Sequence, residues 1–107
     1  MIKMQIVMDG SKIEREHKYR LDKIHGALDD LFLNQLHLLK GDDGFYIGTG
    51  GSKDYANFCS AYGKLRDTDW FVDNVATWLF YISEDEAPED YSVEDMKEFC
   101  QNRRKAS

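Results

Sequence analysis

One proline, two cysteines and three histidines are all that 107 residues contain of those types, and no apolar run approaches the roughly 20 residues that cross a bilayer. Each scarcity closes a class. With one proline and eight glycines the chain is neither a linker nor a low-complexity tract, and 42% hydrophobic with 13% aromatic residues argues against disorder. The opening Met1-Ile2-Lys3-Met4-Gln5 lacks the basic region and apolar stretch of a secretory signal. Cys59 and Cys100 form no C-x-x-C pair and fit the free thiols of a reducing cytoplasm, although sequence leaves a bond between the two open. His17, His25 and His37 are scattered, so neither a metal nor a cofactor is expected. The length suits one domain, residues 1–107.

Basic residues are also few, 14 Lys and Arg against 20 acids, for a net charge of −6. The imbalance is local. Glu84, Asp85, Glu86, Glu89, Asp90, Glu94, Asp95 and Glu98 are opposed only by Lys97 within their stretch. Such a field repels nucleic acid and anionic lipid and attracts basic surfaces, although a merely solvated face would carry the same residues.

Patterning predicts an α+β domain. Residues 2–8 read as a strand, and Ser11 to Glu14 as a capping box opening a short helix. Leu21, Ile24, Leu28, Leu31 and Phe32 recur at helical spacing over residues 20–34, with Gly26 suggesting a close packing contact. Gly41-Asp42-Asp43-Gly44 supplies a hairpin turn, with Phe45 and Ile47 on one face and Tyr46 on the other. A helix capped at Ser52 follows, with Tyr55, Phe58, Cys59, Tyr62 and Leu65 as its inner stripe. Residues 70–82 read as a fourth helix whose Phe71, Val75, Trp78, Leu79 and Ile82 enter the core, alongside Leu28, Leu31, Phe58 and Leu65. Beyond an acidic loop at 84–91, Ser92 to Asp95 would cap a last helix to about residue 103, with Tyr91 and Met96 stapled across its start. The expected order is β-α-β-β-α-α-α, a three-stranded antiparallel sheet covered on one face by about four helices.

No sequence motif for catalysis emerges. Cys59 falls on an inner stripe and no Gly-x-Ser-x-Gly occurs, so no catalytic residue is named and the chain is read as a non-enzyme. Gly48-Thr49-Gly50-Gly51-Ser52-Lys53 could present backbone N–H groups to an anion, but it lacks the P-loop spacing. On the helical reading, Trp70, Phe80 and Tyr81 fall outside the core face beside Asp73. They are then either covered by the last helix or exposed as interface anchors.

The strings Gly48-Thr49-Gly50, Lys53 to Phe58 and Asp69 to Tyr81, with Lys12 to Glu16, Lys18-Tyr19 and Leu21, carry a likeness over nearly the whole chain. It resembles small acidic proteins of phages and integrative elements of Gram-positive bacteria, a group that includes anti-CRISPR proteins. The resemblance implies a stoichiometric inhibitor of a host defence complex. Arginine- and lysine-lined nucleic-acid channels of CRISPR effectors would be its target. Partner-binding residues would be Trp70, Asp73 and Tyr81 with Glu84, Asp85, Glu86, Glu89 and Asp90. An immunity or antitoxin-like protein capping a basic nuclease is the alternative, and a small nucleotide-binding module using the Gly48–Lys53 turn is a third. The partner is a protein with a basic surface, not nucleic acid or membrane. Composition leaves monomer and homodimer both open.

Overall fold

The computed structural model describes residues 1–84, 86 and 89–106, with side chains through residue 102. Its elements are β1 (Ile2–Met8), α1 (Gly10–Glu16), α2 (Leu21–Asp29) running into a π-helical turn (Asp30–Gln35), β2 (Leu39–Lys40), β3 (Phe45–Ile47), α3 (Asp54–Arg66), α4 (Asp69–Val72), β4 (Val75–Ile82), β5 (Ser92–Asp95) and α5 (Met96–Ala106). The five strands form one antiparallel sheet in the order β2-β3-β1-β4-β5. Among the described residues no helix is long and apolar enough to cross a membrane.

One face of this sheet carries the core. Met4, Ile6 and Met8 of β1, Tyr46 of β3 and Val75, Trp78 and Phe80 of β4 are buried on it. Every helix adds to the same cluster: Ile13 from α1, Leu28 from α2, Phe58 from α3, Phe71 from α4 and Met96 from α5. Aromatic packing is dense at its centre, where Phe71 meets Trp78 edge-on at 4.8 Å and Phe32 stacks on Tyr46 at 4.1 Å. Among the described residues all five helices therefore sit on one side, and the other side of the sheet has no helical cover.

The β1 strand, the hairpin and α2 stand where the sequence puts them. Asp43 and Gly44 adopt the positive φ values, 56° and 82°, that the turn requires. A side chain at Gly44 would collide with the Ile6 carbonyl, because the turn is pinned to β1 by the bond from Ile6 N–H to Gly44.

The largest correction concerns residues 70–82. Only Asp69–Val72 is helical, and Asn74 ends it by donating from Nδ2 to the Trp70 carbonyl at 2.8 Å. Val75–Ile82 is a strand paired with β1 along its length and with β5 beyond. Phe80 is consequently in the core, while Leu79 lies on the other face and Ile82 is only half-buried. The sheet gains β4 and β5 and has five strands instead of three.

Ser92–Asp95 is likewise a strand and not a cap, so Tyr91 and Met96 make no staple. Asp95 accepts from the Glu98 N–H at 3.1 Å and caps α5 instead. At α1 the cap is Asp9, which accepts from Lys12 N–H, and not Ser11. On α3 the inner stripe is Phe58, Ala61 and Leu65, with Tyr55 and Cys59 exposed. A β-carbon on Gly26 would meet open space, so no close contact explains that glycine.

Candidate interaction surface

The candidate residues fall into two groups. Glu84, Glu86, Glu89 and Asp90 are exposed in the connector between β4 and β5, and Asp85 lies outside the described residues. Tyr81 joins them, one residue from the end of β4 on the helix-free face. Trp70 and Asp73 do not: they precede β4, whose 8 residues separate them from the connector by about 23 Å. Trp70 is half-buried and packs edge-on against Phe71 at 6.2 Å, while the Asp73 carbonyl accepts from Lys12 Nζ.

Strand alternation builds the surface around Tyr81. Register places Tyr81 opposite Lys3 and Val93, Leu79 opposite Gln5 and Asp95, and Phe45 opposite Gln5. None of these side chains belongs to the core, and Val93 and Leu39 are more than half exposed, 51% and 53%. At the centre Lys3 Nζ sits 4.7 Å from the Phe45 ring, 5.4 Å from Tyr81 and 4.5 Å from Tyr91. Three different elements thus converge on one ammonium. Acidic side chains bound this apolar field on three sides: the connector at one end of β1, Asp42 and Asp43 at the other, and Asp95 along β5.

The glycine turn is already occupied by the chain's own carboxylate. Asp54, 6% exposed, accepts from Thr49 N–H at 3.1 Å, Thr49 Oγ1 at 3.0 Å and Gly50 N–H at 2.8 Å. Gly48 makes the approach possible, since a β-carbon there would come within 2.5 Å of Asp54 Oδ2. Thr49 N–H and Gly50 N–H are thus taken internally, in the wall of a cavity of about 740 Å³ that Gly48 to Ser52 line with Ile82 and Glu84.

A second polar cluster flanks a cavity of about 570 Å³ between α2 and the β1–β3 end. Asp29 accepts from the Tyr46 hydroxyl at 2.6 Å and pairs with Lys40 at 2.8 Å. Burial pushes the Asp29 carboxyl up, but the hydrogen bonds from Lys40 and Tyr46 and the charges of Lys40 and His25 pull it further down. Its pKa ends below the ordinary 3.8. Burial and this carboxylate raise the Tyr46 phenol. A depressed folded-state pKa stabilises above the unfolded value, and the gain is lost as pH falls through the folded one. Asp29→Asn should therefore unfold at lower urea than the parent at about pH 6, with the gap narrowing toward pH 3. A gap of constant width would remove Asp29 from the ionic contribution.

Among the described residues no group of three His, Cys, Asp or Glu could hold a metal, and Cys59 and Cys100 are free thiols. Sequence reasoning missed Lys3, Phe45, Leu79, Tyr91 and Val93 as surface residues. The signal was present in Val75 to Ile82, eight residues rich in β-branched and aromatic types between Asp73-Asn74 and Ser83. Set against protein-family models, curated proteins and solved structures, the chain has no match in any of the three.

Proposed function

We propose that this chain acts by stoichiometric binding, as an inhibitor of a host defence complex of the anti-CRISPR kind, by occupying a basic nucleic-acid channel. The observation that carries the reading is the acidic β4–β5 connector with the acidic edge strand β5, beside an aromatic field that no helix covers. Carboxylates concentrated on one edge of a compact body present the charge density that a basic channel meets in phosphates. Aromatic side chains next to them supply apolar contact. Glu84, Asp85, Glu86, Glu89 and Asp90 with Tyr81 carry the binding. Trp70 and Asp73 stand at the other end of β4.

The test is charge reversal of Glu84, Asp85 and Glu86 to lysine. Binding to the basic partner recovered from the bacterial host should fall by about 100-fold or more, with the melting temperature almost unchanged, because Glu84 and Glu86 are exposed in the connector. The parent's association rate should drop as salt rises, since exposed charges are screened over about 8 Å at physiological ionic strength. Equal affinity of parent and triple variant at low and moderate salt would end the charge-mimicry reading. Recovery of a nuclease toxin would transfer the same electrostatics to an antitoxin role.

A further inference from the structure

We infer that the helix-free face of the sheet docks an amphipathic helix of the partner, apolar along its stripe and basic along its flanks. This rests on the reading above and names the partner element that the surface fits.

Composition of the face comes first. In a chain with 32% charged residues, its field on β3, β1, β4 and β5 is Val7, Phe45, Leu79, Tyr81 and Val93 around the uncharged Gln5 and Thr77, with Lys3 and Asp95 as the charged members. Charge depletion with aromatic enrichment inside a polar rim is the anatomy of an interface core. The rim is acidic on three sides, so the complementary surface is apolar at its centre and basic at its margins.

Dimensions select the occupant. From β3 across β1 and β4 to β5 there are three inter-strand gaps, about 14 Å. One α-helix with its side chains is about 10–12 Å across, so a single helix lying along the strands fills the field. Its flanking Lys or Arg side chains then reach Asp95 on one side, and its ends meet the acids beyond each end of β1.

The cation at the centre of the field separates this partner from nucleic acid. Lys3 is folded against the rings of Phe45, Tyr81 and Tyr91. For a stacked single strand, Lys3 would be the favourable phosphate contact and the acidic rim would oppose binding. For a basic helix, Lys3 is an unfavourable charge at the centre and the rim is favourable.

The experiment titrates the isotope-labelled full chain with an 18-residue helix bearing a leucine stripe and lysine flanks, and follows backbone amide signals. The comparison probes are the same helix with glutamate flanks and a ten-residue thymidine oligonucleotide. The lysine-flanked helix should move the signals of Lys3, Phe45, Leu79, Tyr81 and Val93. Leu79→Ser and Tyr81→Ser should each weaken it by about tenfold or more without lowering the melting temperature. Lys3→Met should tighten it severalfold. Shifts confined to the connector would overturn the docking inference while leaving the charge reading in place. Equal binding of both helices would remove both. Oligonucleotide binding that Lys3→Met abolishes would assign the face to single strands, and self-association that protects these signals would assign it to a second copy.

Discussion

Phe80→Asp will leave this protein unfolded at room temperature, while Leu79→Asp, one residue earlier, will melt within a few degrees of the parent. Phe80 is 6% exposed, and its ring packs on Phe58 at 5.6 Å. A carboxylate there has no partner, and burying it costs several kcal/mol, on the order of the whole stability of a small domain. Leu79 points to the face without helices, opposite Gln5 and Asp95. An aspartate at that position stays hydrated and adds only a modest like-charge contact with Asp95. A helix over residues 70–82 demands the reverse, because its inner face would hold Leu79 and exclude Phe80. Circular dichroism melts of the pair therefore test the strand directly, and tolerance of Phe80→Asp would sink it.

Asp54→Ala should lower the melting temperature by about 12 °C or more, through the loss of about 3 kcal/mol. Alanine leaves Thr49 N–H and Gly50 N–H without their acceptor, and hydrogen bonds to a charged acceptor are worth more than neutral ones. Asp54→Asn should recover only part of the loss, since an amide offers one acceptor oxygen where the carboxylate uses both. Gly48→Ala should be comparably damaging, because its β-carbon would lie 2.5 Å from Asp54 Oδ2 and 3.0 Å from the Ile2 carbonyl. Melts within two or three degrees of the parent for all three variants would reduce the turn to a chain reversal.

Residue order alone was sufficient for β1, the hairpin, α2 and the C-terminal bound of α3, because local rules decide each. Gly44 tolerates a positive φ, a stripe at 3.6-residue spacing marks α2, and Asp67-Thr68-Asp69 halts α3 at Arg66. Concentration of acid between Glu84 and Glu98 is also a property of the sequence, as is the scarcity of metal ligands. The glycine turn was visible as a turn. That its N–H groups would be taken by Asp54 was not, although the carboxylate stands only four residues from Gly50, because the loop had to fold back on the first turn of α3.

Tertiary structure decided residues 75–82, and through them the location of the surface. Val75, Trp78, Leu79 and Ile82 satisfy helical spacing, and Trp78, Phe80 and Ile82 satisfy strand alternation. The ambiguity has a physical source. Register between β1 and β4 slips where Val7 pairs with Thr77 and Met8 pairs with Val75, so Ala76 is left over. That irregularity returns Val75 to the same face as Trp78, three residues on, and gives a strand the spacing of a helix. A local reading has no access to the slip, because it is made against residues about seventy positions away. With β4 in the sheet, β1 gains a neighbour on its second side and β5 an edge to pair with. Tyr81 turns away from the helices as a consequence, toward Lys3 and the acidic rim. Local chemistry determined what kind of domain this is and where its charge lies; pairing across the chain determined which aromatic residues face outward beside that charge.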